Sequence, residues 1–149
     1  MSAVSEIMPT RKIVTLRIES TPSALDAVKL MIKEKVGSVV VVDHTGKPVG
    51  IVTERDILKK VSGSNKDPND IAAQDIMSRP VITIKTFDSI DTAANMMAKN
   101  KIKRVVVVEQ DGSPAGVLSI TDITRKLARI LATDYTRYGH LKAMLDLVN

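Results

Sequence analysis

Residues Ser23–Leu58 recur at Ser89–Thr124. With a shift of 66 positions (122 − 56), Gly50-Ile51-Val52-Thr53-Glu54-Arg55-Asp56 falls on Gly116-Val117-Leu118-Ser119-Ile120-Thr121-Asp122. Of the 36 positions in this frame (58 − 23 + 1), 14 are identical, among them Val39–Val42 on Val105–Val108 and Gly46, Pro48 and Gly50 on Gly112, Pro114 and Gly116. Self-similarity of this kind means two copies of one supersecondary unit. Whatever site one copy carries, the other carries a pseudo-symmetric counterpart.

Each unit alone, at roughly 60 residues, would be marginal, so the two are expected to pack together within the 149-residue chain. The core must be aliphatic, because Phe87, Tyr135 and Tyr138 are the only aromatic residues. The absence of cysteine excludes disulfides, zinc–thiolate sites and thiol catalysis. His44 and His140 have no metal-site spacing, so no metal ligand and no catalytic residue is expected. No segment reaches the 18 or so apolar residues of a membrane span, and Met1–Thr10 lacks the pattern of a signal peptide, so a cytoplasmic protein is expected. The net charge of +5 fits two readings, solvated helix faces or a polyanionic partner such as nucleotide phosphates or nucleic acid.

The same element order is read in both copies. A short strand (Ile13–Ile18; Val81–Ile84) precedes a helix. The first helix is expected to start at Thr21-Pro22 and to bury Leu25, Val28, Ile32 and Val36. The second is expected to be capped by Asp88 or Ser89 and to bury Ile90, Ala94, Met97 and Ala98. A hairpin follows, Val39–Val42 and Pro48–Val52 around Gly46, then Val105–Val108 and Pro114–Leu118 around Gly112, its valine runs suiting strands buried on both faces. A second helix closes each unit, running through Lys60 or Lys126. The division expected is a first unit over 1–64, a linker over 65–70, a second unit over 71–130 and a helical tail over 131–149. Asp75-Ile76-Met77-Ser78 echoes Glu6-Ile7-Met8-Pro9 at an offset of 69, which places about three extra residues of the first copy around Thr10–Lys12.

The pattern that carries chemistry is Gly-apolar-apolar-Thr/Ser-x-x-Asp at a strand-to-helix junction. Thr53 or Ser119 sets a hydroxyl beside free amide donors at the positive end of a helix dipole, which favours phosphate. Asp56 or Asp122 is an acceptor suited to two vicinal ribose hydroxyls. The same spacing also describes a capping box with Asp in place of the usual Glu. The duplication keeps both readings open, and they are compatible.

This order of elements, with Gly50–Ile57 closing the first copy, resembles the CBS domain, and the tandem pair resembles a Bateman module over roughly Val4–Leu127. The resemblance implies an α/β (α+β) fold of two pseudo-twofold-related β-α-β-β-α units packed through their sheets, with a cleft for up to two adenosyl ligands. It places Asp56 and Asp122 at ribose hydroxyls, and Thr53 and Ser119 near ribose or phosphate. Val14 and Thr15 would line the adenine in one site, with Ser38 and Val39 from the next strand. Pro80 and Val81 would do so in the other, with Arg104 and Val105. Lys103 and Arg104 stand where the first copy has Gly37 and Ser38, so the second site is expected to hold phosphate better. Arg55 stands where the second copy has Thr121, and similar arginines in the family reach a phosphate across the cleft.

The function expected is a stand-alone regulatory module, not an enzyme, that binds AMP, ADP or ATP (S-adenosylmethionine or NAD being further candidates), forms a homodimer and signals to a partner. The alternative is a nucleic-acid-associated protein working through its basic surface. The shortage of aromatic stacking platforms weighs against single-stranded nucleic acid.

Overall fold

The duplication becomes two three-stranded sheets of identical topology in the computed structural model, which describes residues 3–9, 13–134 and 147. In the first, β1 (Thr15–Arg17) runs parallel to β2 (Ser38–Val42), which pairs antiparallel with β3 (Pro48–Thr53). In the second, β4 (Thr83–Lys85), β5 (Arg104–Val108) and β6 (Pro114–Ser119) repeat this order. Even the register shift recurs, between Val41 and Val42 and between Val107 and Val108. Both hairpin turns require left-handed backbone, at Gly46 (φ +83°) and Gly112 (φ +88°), where a side chain would be strained.

The valine runs are buried on both faces, as their lack of alternation predicts. Val39 and Val41 point into a core beneath helix α1 (Ala24–Glu34), and Val105 and Val107 into the equivalent core beneath helix α4 (Ile90–Asn100). The intervening Val40, Val42, Val106 and Val108 meet between the sheets, joined by Ile13, Ile51, Val81 and Val117. The units therefore pack through their sheets. Each is completed by a helix after its last strand. In the first unit, α2 (Glu54–Asp56) continues directly as π-helical turns over Ile57–Ser62. In the second, α5 (Ile120–Asp134) is α-helical throughout.

The lead-in segments are exchanged. Residues before β1 pack on the second unit, with Val4 N–H donating to Asp88 O (2.8 Å), Ser5 N–H to Thr86 O (3.0 Å), and Val4 fully buried in the second core. Residues before β4, including helix α3 (Ala73–Ile76), pack on the first unit. There Ala24 N–H donates to Ile71 O (2.7 Å) and Ala73 N–H to Pro22 O (2.8 Å), and Ile76 and Met77 enter the first core.

Several expectations are corrected. Strands β1 and β4 are shorter than read. Helix α1 is capped by Ser23, not Thr21, because Ser23 and Asp26 form a reciprocal capping box while Thr21 takes a left-handed conformation (φ 47°). The face of α1 that buries is Ala24, Ala27 and Met31, so Ile32 is 72% exposed. In α4 the buried residues are Ala93 and Met97, Ser89 is the cap and Ala98 is exposed. The extra residues of the first copy are split. Thr15 pairs with Val40 as Thr83 pairs with Val106, an offset of 68 (83 − 15) against 66 at the helix caps (89 − 23). Two of the three therefore sit between β1 and α1, in a 3-10 turn over Ile18–Ser20 and the Thr21-Pro22 that follows. The third falls between Met8 and Thr15; Thr10–Lys12, where it was expected, lies outside the described residues. Helix α5 runs through Lys126, as expected, and continues to Asp134. The expectations for the tail beyond Asp134 also lie outside the described residues, apart from an exposed Leu147.

Candidate functional site

The two strand-to-helix junctions are both capping boxes. Asp56 N–H donates to Thr53 Oγ1 (3.3 Å) and Thr53 N–H returns to Asp56 Oδ2 (2.9 Å). Asp122 N–H donates to Ser119 Oγ (3.1 Å) and Ser119 N–H to Asp122 Oδ2 (2.8 Å). Each hydroxyl also donates to its own aspartate, at 3.0 Å and 2.9 Å. The box fixes one carboxylate oxygen and leaves Oδ1 for something else. Both aspartates are buried, 5% and 6% exposed, the most enclosed charged groups among the described residues.

A cleft opens at the second junction and is walled by both units. Ser119 and Asp122, with Gly116 and Val117 of β6, form one side. The approach to β1 (Pro9, Ile13, Val14) and the approach to β2 (Val36, Gly37, Ser38) form the other, and Arg104 at the start of β5 closes it. Face-to-face sheet packing sets Val14 and Ser38 of the first copy against Asp122 of the second. Gly37 matters here for its missing side chain. A Cβ at that position would meet Arg104 Nη2 at 2.7 Å and Glu54 Oε1 at 2.8 Å. Arg104 thus lies over Gly37, half-buried, its guanidinium without a hydrogen bond or ion pair among the described residues. With Arg104 so placed the cleft holds about 70 Å³. That is below the roughly 300–1,000 Å³ of small-molecule pockets.

The two Oδ1 atoms have different neighbours. Asp56 Oδ1 accepts from Ser78 Oγ (3.0 Å) and from Lys60 Nζ (3.1 Å), and Lys60 also donates to Ile76 O (2.9 Å). Asp122 Oδ1 accepts only from Arg125 Nη1, at 3.3 Å, among the described residues. That is long for a charge-assisted bond, and Arg125 Nε is buried without a partner among the described residues.

Of the residues singled out from sequence, Val14, Ser38, Arg104, Ser119 and Asp122 line this cleft, while Thr53 and Asp56 form the matching junction. Strand alternation turns the side chains of Val39 and Val105 into the two helix-covered cores. Val81 packs between the sheets. Thr15, Arg55, Pro80, Lys103 and Thr121 are exposed and do not line the cleft. Lys103 is placed by its carbonyl, which accepts from Ile120 N–H (2.9 Å). Sequence reasoning missed Ile13, Val36 and Pro9 as lining residues, and Ser78 and Lys60 as partners of Asp56. The echo of Glu6–Pro9 in Asp75–Ser78 was the signal for the Pro9–Ser78 pair. Among the described residues no group of His, Asp and Glu could hold a metal ion, and no helix is long and apolar enough to cross a membrane.

Two β-α-β-β-α units packed through their sheets, with a cleft walled by both, define the tandem-pair class of module. The CBS-domain family profile matches residues 4–63 and 73–129, and the chain belongs to the CBS-domain family. It is 34% identical over 113 residues to the protein MK0525 of Methanopyrus kandleri, covering 76% of this chain but only 58% of that relative's length. Among solved structures it is similar to the CBS domain protein PAE2072 from Pyrobaculum aerophilum complexed with AMP (33% identity, TM-score 0.72, covering 81% of this chain and 89% of that one). It is also similar to the CBS domain pair of protein MJ0100 in complex with 5′-methylthioadenosine and S-adenosyl-L-methionine (31% identity, TM-score 0.72, 85% and 99%).

Proposed function

We propose that the chain is a regulatory module, not an enzyme, that takes an adenosyl ligand of the AMP, ADP or ATP class in the Asp122 cleft and passes its occupancy to a partner protein in the cytoplasm. The observation that carries this is the meeting of an aspartate, a hydroxyl and an unpaired guanidinium in one two-walled cleft. Asp122 receives the ribose hydroxyls, Arg104 meets phosphate, and Ile13 and Val14 offer an aliphatic wall to adenine. The AMP complex of PAE2072 and the adenosyl ligands of MJ0100 support the same ligand class. Swinging Arg104 aside couples occupancy to Gly37 and Glu54, which connect to α1 and α2. Such coupling counts as regulation only if ligand and partner prefer different states.

The partner surface includes a second copy of the chain. Ile32 (72% exposed) and Leu58 (69% exposed) line an apolar groove of about 540 Å³ between α1 and the helix after β3, which suits a homodimer. Calorimetry and thermal shift against AMP, ADP, ATP, S-adenosylmethionine and NAD test the reading. A ligand at a hundredfold excess over its Kd adds about 2.7 kcal/mol of stability. If none of the five shifts the melting point, the sensing function fails for this set.

A further inference from the structure

We propose that the first junction is closed from within, so that the chain holds one adenosyl ligand, at Asp122, while Asp56 serves as a strut that ties the inter-unit connector to α2. This rests on reading the Asp122 cleft as the adenosyl site.

A carboxylate offers about four lone-pair positions. At Asp56 four donors fill them: Thr53 N–H, Thr53 Oγ1, Ser78 Oγ and Lys60 Nζ. At Asp122 there are three, and the third is the 3.3 Å contact from Arg125. A pair of ribose hydroxyls at Asp56 must displace both Ser78 and the Lys60 ammonium; at Asp122 it need only displace or share with Arg125.

The difference comes from the exchanged lead-ins, not from the repeated motif. Met77 and Met8 occupy equivalent places, each against a strand glycine. A Cβ on Gly50 would clash with Met77 Sδ, and one on Gly116 with Met8 Cε. The next residue is Ser78 in one lead-in and Pro9 in the other. Ser78 bonds to the edge of β3 through its own backbone (Ser78 N–H to Ile51 O, 2.8 Å; Ile51 N–H to Ser78 O, 3.2 Å), which aims its hydroxyl at Asp56. Pro9 has neither a hydroxyl nor an N–H, and it lines the open cleft instead. Lys60 adds the second donor from the π-helical stretch, whereas its counterpart Lys126 sits in regular α-helix and forms no ion pair with Asp122. Lys103 also stands where the open cleft has Gly37.

The test is calorimetric titration of the full chain with AMP. Wild type should bind one AMP per chain, and Asp122→Asn should weaken that binding about tenfold or more while remaining folded. The double variant Ser78→Ala, Lys60→Met should bind two. Two sites in wild type, half-stoichiometric binding left in Asp122→Asn, or a single site in the double variant would each overturn the proposal. If wild type binds no AMP, the adenosyl reading of the cleft falls, and the ligand-free melting temperature decides this inference by itself. Ser78→Ala alone should lower it by about 2–4 °C, and an unchanged value removes the strut.

Discussion

The junctions at Asp56 and Asp122 have the same hydroxyl-x-x-Asp spacing, the same capping box and nearly the same burial, yet they present different chemistry. One carboxylate is saturated by donors from the chain, and the other borders a cleft with an idle arginine. The difference lies outside the motif, in a lead-in segment that arrives from the other copy carrying Ser78 in one case and Pro9 in the other. A duplicated motif therefore specifies a local fold twice. It does not specify a site twice, because the residues completing each junction come from a region free to diverge.

The comparison breaks most readily at the carboxylates. Asp122→Ala should weaken the best adenosyl ligand about tenfold or more, on the scale of charge-assisted bonds of roughly 1.5–3 kcal/mol. Unchanged affinity in a folded variant, measured by calorimetry, places the site elsewhere. A second contrast concerns the strand glycines. Gly50→Ala puts a Cβ against Met77 Sδ, Cγ and Cβ, whereas Gly116→Ala meets only the terminal methyl of Met8. Overpacking costs about 1–3 kcal/mol, so denaturant titration should show the full cost at Gly50 and clearly less at Gly116. Equal losses would mean the two methionines are held alike. Next come the helix caps. Ser23 and Asp26 form a reciprocal capping box, while Ser89 accepts from Thr92 N–H and bonds to the Thr92 hydroxyl without such a box. Cap removal costs about 0.5–2 kcal/mol, and Ser23→Ala should fall toward the upper end, Ser89→Ala toward the lower.

The smallest effect tests the hairpin turns, where each unit uses an aspartate two residues before a hydroxyl, at positions that are not equivalent in the repeat. Asp43 and Asp111 are held below the ordinary aspartate value of 3.8 by hydrogen bonds from the Thr45 and Ser113 hydroxyls. Because the folded pKa is the depressed one, the stabilisation is complete above 3.8 and is lost as pH falls through the folded value. Side-chain NMR titration should give both carboxylates midpoints below 3.8, and a midpoint at or above it in either turn would mean its hydroxyl bond is absent in solution.

Much of this was legible in the sequence. The duplication specified the hairpins and the doubly buried valine runs, because these depend on periodicity and on glycines that recur in frame, while the sheet-on-sheet packing came from the family resemblance. Asp122, Ser119 and Arg104 were legible as well, through the motif and its in-frame differences. What the sequence hid was set by tertiary placement. Ile32 keeps helical spacing with Val28 and Val36, but α1 rests on its small residues, Ala24 and Ala27, which let it lie close to the sheet. Val39 and Ser38 are neighbours in one strand, and only the strand's alternation decides that Ser38 reaches the cleft while Val39 enters a core. Ser78 was visible only as a weak echo of Pro9, since nothing local in either segment indicates which unit it covers.

The exchanged lead-ins also bear on how such a chain can be divided. A single unit with its own lead-in could not seal its own core, since Val4 seals the second core and Ile76 the first. Two separate copies would satisfy each other only by trading these segments. A cut within residues 65–70 would therefore yield fragments that each carry the other's missing piece, and they should re-form the fold only in each other's presence.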